Sequence, residues 1–307
     1  MKNDFRKLGI ILPSAILSLV AVTLRCIAVV TDMDYATGFY GGSPLVTISD
    51  LLMTAVAAIL MISLIIKVEN LSLRREARGN VGFLSTGIIA VSAVLIAVDL
   101  IVYILSQTRG GFIDDLLAHR SSVVALLATF LALATAVLSA VSVFLSPERA
   151  SLRGVFDMTT ALFFGVYATF LFFRLGDTIN QPQKVVTEMA ALAMAIFMLE
   201  CARIHIGRER PRFYLALGML TAALSANALF PALAVCILKR EVIAFSISEM
   251  ILAAAIFIFA VLRLATVVEF KKTEELATDT DSLSEISAED APTEEERQIA
   301  DEEDSCN

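Results

Sequence analysis

Asp50, Asp99, Glu188, Glu200 and Glu249 are carboxylates inside long apolar runs of this chain. An ionised side chain near the middle of a bilayer costs at least ~2.5–3.5 kcal/mol, so such a residue faces a bundle interior and needs a partner or a proton. Gathered together, these acids would supply what proton or cation binding requires: oxygen ligands in a water-poor place. Their helical neighbours suggest an inward orientation. Asp50 shares a face with Thr54, Ala57 and Met61, Glu188 with Ala191 and Ala195, and Glu249 with Ala253 and Ala260. Small residues at that spacing let helices approach closely. A quieter use is equally consistent with three of them. Asp50, Glu188 and Glu249 stand near the starts of their runs, where negative charge offsets the free N–H groups of a helix end. Arg25 and Arg174, each ending the preceding run, are placed to pair with Asp50 and Glu188. Asp99 lies well inside its run and has no such alternative.

A second group is Asn227-Ala228-Leu229-Phe230-Pro231. Pro231 has no N–H to give the carbonyl of Asn227, four residues back. A free main-chain oxygen beside the Asn227 amide, with Ser225 near in sequence, suits a cation or polar ligand. It also suits a plain helix kink.

Other chemistry finds no foothold. Two histidines, His119 and His205, and four cysteines without a CxxC make no zinc site, and no metal or cofactor is expected. No HExxH, Walker-type loop, GxSxG or DxxD pair occurs. Asp157, beside Arg153, reads as an interfacial acid. The stretch 203–212 holds Arg203, Arg208, Arg210 and Arg212 with Glu209 as its one acid. Bases there meet anionic headgroups at ~1 kcal/mol each, or dock an acidic segment. Tyr35, Tyr40, Tyr103 and Tyr214 are candidate interfacial anchors.

The elements that must position these residues are apolar helices. Of 307 residues 57% are hydrophobic and 18% charged, with mean hydropathy +0.77. Soluble domains are about half apolar and a quarter charged. The excess arrives in blocks of about twenty, the length a helix needs to cross a ~30 Å hydrocarbon layer. Eight such runs occur, at about 8–30, 46–66, 81–105, 123–145, 155–173, 185–202, 213–238 and 242–268. They lack the alternation of a membrane barrel. The expected fold is therefore an all-α, polytopic transmembrane bundle of about eight helices, with the lipid bilayer as its partner. Nucleic-acid binding is excluded.

Lys/Arg residues concentrate in alternate loops, predicting a cell-membrane protein with both termini cytoplasmic. Residues 273–307 form a tail with 14 acids and one base, whereas the rest of the chain carries a net charge of +5. That composition predicts a disordered acidic segment, which could recruit a cytosolic partner. Ala128, Ala132, Ala136 and Ala140, and Gly218, Ala222 and Ala226, predict packing seams, within the bundle or in a homo-oligomer.

Ser43-Pro44 with Asp50, and Gln181-Pro182 with Glu188, suggest a further regularity. Each proline opens a helix and an acid follows six residues later, as a 4+4 parallel repeat would produce. Together these features point to a transporter-like or channel-like protein handling a small solute or ion. The ligand candidates are Asp50, Asp99, Glu188, Asn227 and Glu249. The alternative is a membrane scaffold or signalling module acting through its tail.

Overall fold

The computed structural model describes residues 11–34, 39–65, 71–73, 79–107, 120–144, 150–174, 181–238 and 247–270. Within them are eight helices long and apolar enough to cross a membrane. These are α1 (Ile11–Asp32), α2 (Pro44–Ile65), α3 (Gly79–Gln107), α4 (Arg120–Val143), α5 (Ala150–Phe173), α6 (Pro182–His205), α7 (Pro211–Leu238) and α8 (Ile247–Val267). The protein has the architecture of a multi-pass membrane protein. Two compact units divide the chain. One, Met1–Val68 with Leu73–Glu269, holds every helix; the other is Glu69–Ser72 with Phe270–Asn307. The acidic segment 273–307 lies outside the described residues.

Several helix ends are set by single residues. Pro44, Pro182 and Pro211 open α2, α6 and α7, where the missing N–H costs nothing and φ is already helical. Helix α6 ends in a Schellman turn: Arg208 N–H donates to Arg203 O at 3.0 Å and Gly207 N–H to Ile204 O at 3.1 Å. Gly207 takes φ +78°, a conformation without penalty only for glycine. Between α1 and α2, Met33–Asp34 (β1) and Phe39–Tyr40 (β2) pair antiparallel, Met33 opposite Tyr40.

Helices α6 and α7 are the most enclosed. Helix α6 packs between α5 and α7, and α7 also carries α8 and the α1–α2 hairpin. Helices α3 and α4 pack on each other, α4 against α5 and α3 against α8. The main core gathers Phe163, Phe164, Tyr167 and Phe170 of α5 with Phe197 of α6 and Phe259 of α8. Phe172 and Phe173 point outward.

The alanine seam of α4 holds for Ala128, Ala132 and Ala136, which are buried in the bundle, whereas Ala140 is exposed. The second stripe divides. A Cβ on Gly218 would sit 2.7 Å from Leu264 Cδ2, so α7 and α8 touch there. Ala222 and Ala226 instead line a lateral apolar cavity of about 510 Å³ between α1, α7 and α8. The two halves of the chain also pack differently. Helix α6 lies against α7, whereas α2 finds its main neighbours in α1 and α7 rather than α3.

Candidate functional site

Charged and polar side chains collect in three places. The first lies where α1, α2, α6 and α7 meet. Arg25, about one turn past the middle of α1, is 1% exposed. Its Nη1 donates to Asp50 Oδ1 at 2.6 Å and its Nη2 to the Pro182 carbonyl at 3.2 Å. Its guanidinium stands 6.0 Å from the centre of the Tyr40 ring. Burial pushes the Tyr40 phenol above its ordinary range, with Arg25 opposing that shift.

Asp50 does not point inward as its neighbours suggested; its side chain is 55% exposed. The buried stripe of α2 is Ser49, Met53, Val56 and Leu60. Asp50 is one residue, about 100° around the helix, from that stripe. It reaches Arg25 from the edge, and the Thr54 and Met61 face lies outside.

The α6 side of this cluster was missed in the sequence. Gln183 and Lys184 follow Pro182 in the first turn and are 3% and 2% exposed. Lys184, just ahead of the run that begins at about 185, lies inside the fold. Gln183 Nε2 donates to Ala228 O at 2.5 Å. That bond fixes the amide's orientation and turns Oε1 elsewhere, where it has no hydrogen-bond partner. The Asn227 amide is 1% exposed, and its Oδ1 is likewise unpartnered. So are Lys184 Nζ and Arg25 Nε. Helix α7 runs unbroken through Pro231, so the proline frees a carbonyl without ending the helix. Gln183 acts on the next carbonyl along.

Glu188, one turn after Lys184, is half-buried and within its electrostatic reach. Its Oε1 has no hydrogen-bond partner among the described residues. The expected Arg174–Glu188 pair is not what forms. Arg174 Nη1 donates to Glu249 Oε1 at 2.9 Å. Arg174 follows α5 directly, and Glu249 stands in the first turn of α8, 13% exposed.

That pair belongs to the second cluster. Tyr167 of α5 faces Glu249, Asp99, Arg174 and Ser248. Asp99 is half-buried, about 12 Å from the Gln107 end of α3. Glu249 thus holds the guanidinium, while Asp99 lies within electrostatic reach of the buried Tyr167 ring. Tyr103, one turn after Asp99, meets Phe170 edge-on with centroids 5.1 Å apart.

The third cluster occupies the opposite end of the bundle. His205 Nε2 lies 3.4 Å from Asp157 Oδ2. Arg153, Cys201, Tyr214 and Arg263 surround that pair. Glu200, 4% exposed, accepts from Arg203 Nη1 at 2.8 Å. Asp157 is thus enclosed rather than interfacial, and Tyr214, 1% exposed, is core rather than anchor. Close approach makes this possible. A Cβ on Gly154 would meet Ala202 O at 3.3 Å and His205 Cβ at 3.6 Å, so α5 lies directly on the end of α6. Arg263 was legible as a lone arginine inside the eighth apolar run. Among the described residues no group of three or more His, Cys, Asp or Glu could hold a metal.

No family model, curated protein or solved structure matches this chain.

Proposed function

We propose that the protein binds a small polar solute or ion within its helix bundle and moves or senses it across a cell membrane. Arg25, Gln183, Lys184 and Asn227 form the contact site, with Glu188 and Asp50 at its margin. One observation carries this reading. Four side chains exposed by 3% or less each keep a polar atom without a partner among the described residues: Arg25 Nε, Gln183 Oε1, Lys184 Nζ and Asn227 Oδ1. An unmade hydrogen bond in a buried place costs ~1–3 kcal/mol, and polar side chains that persist there are characteristic of pathways through membranes. Two donors and two acceptors suit a solute bearing both kinds of group, or an ion with part of its hydration.

Asp99, half-buried in α3 and near Tyr167, is the separate acid that a proton or monovalent cation would neutralise. The lysine and arginine bias of the loops orients this half of the bundle outward and both termini inward. The acidic segment 273–307 is, on this reading, a regulatory appendage. The proline-plus-acid motif shared by α2 and α6 supports a 4+4 repeat in the sequence, although the two halves pack differently.

The test is a panel of small zwitterions, polyols and monovalent cations, read first by thermal stabilisation and then by uptake into proteoliposomes. A stabilising compound should be taken up by the wild type. Asn227→Leu and Lys184→Met should remove both effects, and Asn227→Leu should melt no lower than the wild type. If no compound stabilises the protein and both variants only lose stability, the cluster is structural.

A further inference from the structure

The end of the bundle away from Asn227 holds a group of charges that the proposed function does not use. Helix α5 brings Arg153 and Asp157 in its first two turns, and α6 brings Cys201 and His205 in its last two. Tyr214 comes from the start of α7 and Arg263 from the last turns of α8. The Gly154 and Gly218 contacts hold these four helices against one another.

Arg263 is the centre of the group. One face of its guanidinium lies over the Phe259 ring at 5.3 Å. Its Nε is buried and has no hydrogen-bond partner among the described residues. Asp157 is the nearest acid by electrostatic effect, and no ion pair joins the two among the described residues. Asp157 Oδ2 instead stands beside His205 Nε2. Glu200 is taken up by Arg203. A buried guanidinium with its planar edge unfilled is a shape that matches two oxygens of a phosphate or carboxylate.

The rim is basic as well. Arg208 and Arg210, in the turn joining α6 to α7, are exposed. That turn is held rigid by the Gly207 Schellman bonds, so its charges stay beside the buried group.

We propose that this α5–α6–α7–α8 end binds a phosphate oxyanion, a phosphodiester or inorganic phosphate, through the edge of Arg263, beside the Asp157–His205 pair. The source is a phospholipid headgroup reaching between helix ends, or a soluble anion entering past Arg208 and Arg210.

The experiment uses the full chain. For the lipid arm, the protein is equilibrated with phosphatidylcholine nanodiscs with or without phosphatidylglycerol, and lipids retained after release are counted by native mass spectrometry. For the soluble arm, binding of inorganic phosphate is measured in neutral detergent against chloride at equal ionic strength. At least one arm should show a single retained ligand. Arg263→Gln should weaken that binding about tenfold or more, the loss expected for one charge-assisted pair. Arg263→Lys keeps the charge without the fork; it should fold even if the glutamine variant does not, and it should bind several-fold more weakly than wild type. Arg208→Gln, on the rim, should change binding by about twofold at most. Retained phosphatidylglycerol alone assigns the site to a headgroup, and phosphate binding alone assigns it to a soluble anion. No ligand in either arm, or equal binding by wild type and Arg263→Lys, overturns the proposal.

Discussion

Arg25 and Asp50 form a pair whose members sit in unequal surroundings, and that inequality has a measurable sign. Arg25 is 1% exposed and also holds the Pro182 carbonyl, whereas Asp50 is 55% exposed. Asp50→Asn leaves a guanidinium inside the bundle without its counter-charge. Breaking a buried pair in this way costs ~3–5 kcal/mol. Arg25→Gln leaves an acid that can still reach water or headgroups at the helix edge. What it loses is the tie between α1 and α6 and a hydrogen bond to a charged donor, about 1.5–3 kcal/mol. The aspartate variant should therefore be the less stable of the two. The double variant has no stranded charge, so it should recover at least ~1 kcal/mol relative to Asp50→Asn alone. Unfolding in mixed detergent micelles, followed by circular dichroism against denaturant for all four proteins, gives the cycle directly. Equal losses for the two single variants, or losses that add in the double, would refute the argument, because either result means Arg25 does not depend on Asp50.

Three further outcomes follow from local geometry and charge. Gly218→Ala places a methyl 2.7 Å from Leu264 Cδ2 and 3.0 Å from Phe197 Cε2; it should destabilise by ~1–3 kcal/mol, and a melting temperature equal to wild type would deny the close α7–α8 contact. Gly207→Ala must hold φ near +78°, so it should cost ~1–2 kcal/mol, whereas Gly41→Ala, with open space around its Cβ, should be near neutral. In a background without native cysteines, an impermeant thiol reagent applied to intact cells should label Gly41→Cys and spare Arg208→Cys; the reverse pattern would invert the proposed orientation.

The spans were legible because hydrocarbon length and helical rise leave little freedom. Their ends were less so. Runs read as beginning at 46, 155 and 185 start at Pro44, Ala150 and Pro182, since hydrophobicity reports where lipid begins while the backbone continues its hydrogen bonding for another turn. The eighth run read from 242, whereas α8 starts at Ile247, the intervening residues lying outside those described. Site residues were legible by type and much less by partner. Asp99, Asn227 and Glu249 stood out as polar groups in apolar text. That Arg174 meets Glu249 depends on how α8 is placed, which no local pattern in α5 or α6 encodes. Lys184 is hard to place from sequence because a base next to a run's edge looks like loop, although Pro182 marks the start of the helix. Asp50 was misread because alanine and threonine neighbours do not reveal which of two faces is buried.

Helix α6 carries Gln183 near one end and His205 at the other, about 33 Å apart along its axis. It has neither glycine nor an internal proline, so it offers no hinge of its own and behaves as a stiff beam. Helix α7 beside it contains Pro231 and is the more compliant of the two. A tilt of α6 by about 10° around its midpoint, near Met194, would carry its two ends about 3 Å in opposite senses. Opening the Gln183 end by that amount would close the His205 end, as with the arms of a balance. Any such tilt would couple the two polar ends of the bundle through one element that has no hinge of its own.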